Sequence, residues 1–544
     1  MSRAIATAVL CGILVLSAKA QDTVSAPFQT NPLPAESAES RFLSFDELVE
    51  LSSNAHPSGV LDNRLNALLT TPFVNNDATR TGVSPHRPEV EHIGPVLRVI
   101  FWNVERGLNF ELIRSALSGP AEFERVSTPQ SKTASKKREL VNLQLRKLKE
   151  ADVLVLNEVD LGMKRTEYRD VGRELAAALR MNYAYAVEFV EVDPVFELGT
   201  EQVHVPDAQE DQRLQQDLQV DHLRYKGLHG TAILSRYPIV DTRVFRLPVC
   251  YDWYGQEVKA ASKLEQGRRW SANKLFRERV GREIRHGGRM ALIADISVPE
   301  MATGKVTIVA THLENKCPPA CRRKQMAALL ANLKGDRNPL IMAGDFNTTS
   351  SNNTPTSIRN EIMSRVTDYK FWIGQAVSYF HPLGMFKFTL VPLRYFHGYN
   401  DPTAFHLPVL WDNEERPLFR TVERFRFSDG NSFDFRGRAD RTAPPRGRTL
   451  ADSNQRASKG FVPTYAFNRD FAGLVGRFKL DWIVVKPFIQ NPRGKDQSYR
   501  FAPQFPMTMR ELNESVIDRI SDHAPMTVDL PLVESHGQNV TGAF

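Results

Sequence analysis

From Val96 onward the chain repeats one pattern: a short β-branched apolar run that stops on a carboxylate, a carboxamide or an imidazole. "VLRVIFWNVERG" stops at Trp102-Asn103, "VLVLNEVD" at Asn157-Glu158, "VTIVATHLE" at His312, and "PLIMAGDFN" at Asp345 and Asn347. "LDWIVVKP" begins at Asp481, and Asp522-His523 stand just ahead of "APMTVDLPL". Amphipathic helical stretches alternate with these runs: in "LVNLQLRKLKEAD", Val141, Leu145 and Leu148 share one face, and "VGRELAAALRM" and "RRKQMAALLANLK" follow the same spacing. Strands interleaved with helices predict an α/β fold.

Each of these polar residues has an ordinary reading, since Asp and Asn commonly bond their own backbone where a strand enters a turn. As a set they supply what phosphate-ester cleavage requires. Carboxylate and amide oxygens suit a hard divalent cation, imidazoles meet a phosphoryl group, and a carboxylate activates water.

Three stretches interrupt the rhythm, near residues 191–226, 245–287 and 351–460, and read as insertions in one domain because strands of the same kind resume after each. Within the longest, "FRFSDGNSFDF" predicts a β-hairpin around Asp429-Gly430-Asn431. Residues 420–448 hold eight arginines (420, 424, 426, 436, 438, 441, 446, 448) against Glu423, Asp429, Asp434 and Asp440. With phenylalanines interleaved, this stretch is either a cationic stacking surface for nucleic acid or a solvated hairpin whose Phe face packs on the domain. The aromatic run "VSYFHPLGMFKFTLVPLRYF" reads as packed core, with contact to a lipid surface as the alternative.

The start, "MSRAIATAVLCGILVLSAKAQ", has the layout of a cleavable leader over residues 1–20, which predicts a secreted or periplasmic protein. Residues 21–95 are polar and Pro-rich, with helical patterns in "SFDELVELS" behind Ser44 and in "LDNRLNALL", and read as an N-terminal extension packed on a main domain spanning 96–535. Beyond the leader stand Cys250, Cys317 and Cys321; the last two, in "KCPPAC", are spaced to close a small loop, and their pairing is open. A formal charge of +7 is compatible with a polyanionic substrate or an anionic membrane surface without requiring either.

The ordered series "FWNVERG", "VLNEVD", "HGTAILSRYPI", "VATHLE", "MAGDFN", "KLDWIVV" and "ISDHAP" resembles the endonuclease/exonuclease/phosphatase superfamily, over roughly Val96 to Leu532 less the insertions. That superfamily groups pancreatic-type deoxyribonucleases, exonuclease-III-like abasic endonucleases, neutral sphingomyelinases and inositol-polyphosphate phosphatases. The resemblance implies a four-layer α/β sandwich, two mixed sheets face to face with helices outside. It further implies Asn103, Glu158 and Asp522 at a divalent metal, Mg²⁺ with Mn²⁺ or Ca²⁺ as alternatives. Asp345 would orient or deprotonate the attacking water, Asn347 would hold the phosphate or that water, and His523, polarised by Asp481, would contact the scissile phosphate. His312 would stabilise the phosphoryl transition state or leaving group. The substrate expected is a phosphate ester, nucleic acid ahead of a phospholipid or sphingolipid, with no obligate protein partner. A catalytically inactive binding protein is the contrasting class, disfavoured because every motif residue is present.

Overall fold

The computed structural model describes residues 41–91, 93–128, 135–202, 204, 208–259, 283–301, 303–349, 414–433, 453–457, 460–471, 475–489, 499–501, 503–517 and 519–532. The leader, the aromatic run 377–396, and Arg436, Arg438, Arg441, Arg446 and Arg448 lie outside these residues.

Two mixed sheets carry the fold. The larger contains, in chain order, β1 (Phe73–Asn75), β2 (Gly94–Arg106), β3 (Val153–Leu161), β4 (Asn182–Glu191) and β5 (Leu228–Ser235). The smaller takes β6 (Ile239–Arg246), β7 (Met290–Ser297), β8 (Lys305–His312) and β9 (Leu340–Asp345). After the hairpin β10 (Tyr465–Phe471) and β11 (Val475–Phe478), β12 (Asp481–Lys486) completes the smaller sheet, while β13 (Gln504–Thr508) and β14 (Met526–Pro531) complete the larger. The strand orders are β1-β4-β5-β3-β2-β14-β13, with two short strands attached, and β12-β9-β8-β7-β6. Only β2–β3 and β8–β9 run parallel within these two orders; the other neighbours are antiparallel.

Burial on both faces explains why β2 reads as a nearly unbroken apolar run. Leu97, Val99 and Phe101 join Val155, Leu292, Ile308, Ile341 and Val528 in the core between the sheets. Ile100, Trp102 and Val104 point the other way, beneath α3 (Phe110–Ser118), α4 (Ser135–Lys149) and α5 (Val171–Leu179). A third cluster lies outside the smaller sheet, where α6 (Pro319–Leu333) and α7 (Arg416–Arg424) cover Val309, Met342 and Trp482. Helix, sheet, sheet, helix is the expected four-layer sandwich, and each fully buried Leu, Ile or Val contributes about 1.5–3 kcal/mol to it.

The segment before β2 is more than a surface extension. Helix α1 (Phe45–Ser53) starts at the Ser44–Glu47 capping box and α2 (Gly59–Thr70) follows. Their Leu48, Leu51, Leu61, Leu65 and Leu68 enter the outer core, and β1 adds an edge strand to the larger sheet.

One local expectation is corrected, and the open cysteine pairing is resolved. Residues Phe425–Phe433 form a tight turn after α7, with Phe427 N donating to Asn431 O over 2.9 Å, and no strand pairing. The rings of Phe425, Phe427 and Phe433 gather on one side against the smaller sheet, and Lys486 Nζ binds Asp429 Oδ2 at 2.7 Å; Asp434 and Phe435, the rest of the expected hairpin, lie outside the described residues. The disulfide joins Cys250 to Cys321, not the closer pair in sequence, and Cys317 stays a buried thiol whose Sγ faces Glu314 O at 3.4 Å.

Candidate active site

The functional residues collect where both parallel strand pairs end. In the smaller sheet His312, Asp345 and Asp481 are register partners across three adjacent strands. That alignment depends on Gly344: a Cβ there would stand 1.9 Å from Thr311 O of the neighbouring strand. In the larger sheet, Asn103 of β2 pairs with Asn157 of β3, and both strands then bulge before pairing resumes at Arg106–Val159. Glu105, Arg106, Glu158 and Asn347 all have positive φ, between 48° and 65°. Non-glycine residues in that region cost strain, and here it turns Glu158 toward the facing sheet.

The predicted residues converge. Asn103 Nδ2 lies 3.1 Å from Glu158 Oε1 and 3.4 Å from Asp345 Oδ2. Asp345 Oδ2 is also 3.8 Å from His312 Nε2 and 3.7 Å from His523 Nε2. His523 Nδ1 sits 2.8 Å from Asp481 Oδ2, and its ring lies against Tyr465, centroids 4.9 Å apart. Asp522 reaches the rim, its Oδ1 4.0 Å from His523 Nε2, and its backbone N–H donates to Glu105 Oε2 at 3.0 Å. The "GDFN" turn has the backbone bond expected of an Asp at a strand end: Asn347 N–H donates to Asp345 Oδ1 over 2.8 Å, and Oδ2 is the oxygen facing the two imidazoles. The Asn347 amide nitrogen donates to Leu313 O at 2.9 Å, so the amide oxygen is its atom able to serve a ligand.

Charges are tuned by burial and neighbours. Burial favours the neutral form of Glu158, yet His312, Arg106, His229 and His523 outweigh it and hold the carboxyl at about 2. Burial, then the charge of Asp481, raises Asp345 above the ordinary aspartate range. For His523 burial opposes the charged ring, but Asp481, Asp522 and Asp345 prevail and raise it well above an ordinary histidine.

Sequence reasoning missed the buried chain that positions these groups. Asp345 N–H donates to Asn157 Oδ1 (3.0 Å), Asn157 Nδ2 to Thr231 Oγ1 (2.9 Å), and Thr231 Oγ1 to Glu188 Oε1 (2.6 Å). Glu188 Oε2 accepts from Arg289 Nη1 at 2.9 Å, and the same nitrogen lies 2.7 Å from His312 Nδ1. A guanidinium has donors only, so Nδ1 is placed to accept from Arg289, and Nε2 is the ring atom facing Asp345. The available signal was Glu188 itself, the one charged residue within the run Asn182–Val190.

The donor set fits a hard divalent ion: Glu158 is held ionised, and Asp481 Oδ1 is buried without a hydrogen-bond partner among the described residues, whereas Asn103 Oδ1 accepts from the Glu105 N–H at 3.1 Å and has its second lone pair to offer. Asp345, Asp481 and His523 also place donor atoms within 4.8 Å of one another.

Residues 100–523 match the profile of the endonuclease/exonuclease/phosphatase family. Solved structures that align include the catalytic domain of human Nocturnin, 14% identical, covering 82% of this chain and 99% of that one at a TM-score of 0.33. A 3′-5′ exonuclease from Neisseria meningitidis is 12% identical over 80% of this chain and 99% of its own, TM-score 0.35. An endonuclease/exonuclease/phosphatase from Beutenbergia cavernae is 16% identical over 80% and 71%, TM-score 0.29. No curated protein sequence matches the chain.

Proposed function

The chain belongs to the endonuclease/exonuclease/phosphatase family, a family of phosphoesterases, and from that premise we propose that it is an exported, divalent-metal-dependent phosphodiesterase acting on nucleic acid. The convergence of Asn103, Glu158 and Asp345 with His312 and the His523–Asp481 pair carries this reading.

Asp345 Oδ2 faces the space shared by both imidazoles and takes the proton of the attacking water. As the water oxygen bonds to phosphorus, the bond from phosphorus to the leaving oxygen breaks, and that oxygen takes a proton from solvent to leave as the alcohol, while Asp345 later returns its proton to solvent. Negative charge builds on the phosphoryl oxygens, and His523 and His312 donate to them. Glu158 and Asn103, with Asp522 at the rim, would hold a divalent cation, which supplies further charge neutralisation.

Nucleic acid is favoured over lipid by charge and exposure. Arg420, Arg424 and Arg426 are exposed while Leu418, Phe419 and Val422 of the same helix face the core. The Cys250–Cys321 disulfide suits the oxidising compartment that the leader-like N-terminus implies.

The test is Mg²⁺- and Mn²⁺-dependent hydrolysis of single- and double-stranded DNA, RNA and sphingomyelin, with Asp345→Ala and His523→Ala alongside. Metal-dependent nucleic-acid cleavage lost in both variants is expected. Turnover of sphingomyelin alone would replace the substrate, and turnover unaffected by either variant would remove the mechanism.

A further inference from the structure

Beside the His523 loop lies a recess lined by Tyr465, Arg477, Arg510, Glu514, Arg519 and Asp522. Its walls are fixed to the catalytic loop by backbone bonds. Ala466 N–H donates to Asp522 O (3.2 Å), Ala524 N–H donates to Thr464 O (2.7 Å), and Tyr465 pairs with His523 as an isolated bridge. The ring of Tyr465 therefore packs against His523 and lines the recess as well.

The recess is cationic. Arg477, Arg510 and Arg519 line it with Glu514 and Asp522; Arg519 Nη1 donates to Ala466 O at 2.6 Å, and Asp522 is turned partly to Ser521 and His523. Glu514 holds Arg477 and Arg510 loosely, at 3.9 Å and 3.6 Å, beyond hydrogen-bond length. Arg510 Nε is buried without a hydrogen-bond partner among the described residues. A buried donor left unmade is costly, and an anion in the recess would satisfy it. Arginine also presents the planar fork that fits phosphate oxygens.

Resting on the phosphodiesterase reading above, we propose that this recess is a second phosphate subsite that takes the neighbour of the scissile phosphate along a nucleic-acid strand. A nucleic-acid strand carries a phosphate at every nucleotide, and Tyr465, which packs on His523 and lines the recess, puts the two places side by side for neighbouring phosphates. A lipid phosphodiester with a single phosphate has nothing to place there. The recess thus selects a polyphosphodiester.

Two measurements test this. The first compares Mg²⁺-dependent cleavage of dTpdT with that of pdTpdT and dTpdTp. The subsite predicts at least a tenfold higher kcat/KM for one of the two substrates bearing a flanking phosphate, with that ratio reduced toward one in Arg510→Gln and Arg477→Gln. Equal kcat/KM for all three substrates overturns it. The second needs no turnover: binding of a fluorescent single-stranded oligonucleotide in EDTA across salt concentrations. The slope of log K against log salt should shrink by about one phosphate's worth in Arg510→Gln, whose melting temperature confirms folding. An unchanged slope in both variants overturns the subsite even where sphingomyelin is the molecule cleaved, which separates its failure from that of the nuclease reading. Inorganic phosphate competing as well as the flanking-phosphate dinucleotide would make the recess a free-anion site and overturn the strand assignment.

Discussion

Arg289 Nη1 donates to His312 Nδ1 across 2.7 Å, whereas Asp481 Oδ2 accepts from His523 Nδ1 across 2.8 Å. Both imidazoles reach Asp345 with Nε2: Nδ1 of His312 meets a guanidinium, with Glu188 Oε2 3.6 Å away, and Nδ1 of His523 meets a carboxylate.

Removing Arg289 strands a buried carboxylate. Glu188 is fully buried and Arg289 Nη1 is its charged partner at 2.9 Å. Arg289→Met should destabilise the chain by about 3–5 kcal/mol, the typical cost of breaking a buried pair. Adding Glu188→Gln should recover part of the loss; urea unfolding of the single and double variants reads both values.

Asp481→Asn keeps the shape of the pair and removes its charge. The rate constant should fall by roughly 100-fold or more, as expected when a catalytic imidazole loses its partner, with KM little changed. Steady-state kinetics on a phosphodiester decide it; an equal rise in KM with unchanged kcat would point to substrate binding instead.

Asp152 gives a pH signature remote from the site. Burial raises its carboxyl to about 6, against the lowering effect of backbone N–H donors from His86, Arg98 and Arg87. A raised folded-state value means that protonation stabilises the fold. This contribution is complete below about 3.8 and lost as pH rises through about 6, worth up to about 3 kcal/mol. The wild-type chain should therefore show a steeper loss of stability between pH 4 and pH 6 than Asp152→Asn; parallel curves of urea midpoint against pH would refute it.

Reduction should loosen the wall behind His312. The Cys250–Cys321 bond spans 71 residues, and opening such a loop costs about 4 kcal/mol in the chain-entropy account. Cys321→Ser should lower the melting temperature. Non-reducing peptide mapping should link Cys250 with Cys321, while Cys317, buried and raised to about 11, alkylates only after unfolding.

Gly344→Ala probes the strand spacing under the site. Its Cβ would meet Thr311 O at 1.9 Å, forcing β8 and β9 apart between His312 and Asp345. A loss of about 1–3 kcal/mol is expected, with activity falling further than stability; calorimetry and kinetics on the same preparation compare the two.

The strands and the residues that end them were legible because both rest on local pattern. β2, β3, β8 and β9 are apolar runs bounded by polar groups, and Asn103, Glu158, His312 and Asp345 stand at those bounds. Asp481 and His523 required the ordered motifs, since nothing local says that a strand start and a loop will meet at 2.8 Å. The positioning chain through Asn157, Thr231, Glu188 and Arg289 depends on pairing between strands far apart in sequence, which periodicity does not encode. The cysteine pairing was open in the sequence for a related reason: the fold, not nearness along the chain, brings Cys250 to 5.9 Å, Cα to Cα, from Cys321. The phenylalanines of 425–433 have the spacing of one strand face, and the same one-sided burial is reached here without strand pairing, so the pattern could not tell the two apart.

The two-faced burial of β2 makes its register a ruler. Odd-numbered side chains from Leu97 to Phe101 fill the gap between the sheets, and even-numbered ones from Ile100 to Val104 lie under the outer helices. A slip of one residue would keep hydrophobic groups on both sides, so hydrophobicity alone opposes it weakly. It would also displace Asn103 by one strand step, about 3.3 Å, away from Glu158 and Asp345. A misregistered chain could therefore be compact and soluble and still lack its site. For this fold, specific activity reports folding fidelity more sharply than compactness does.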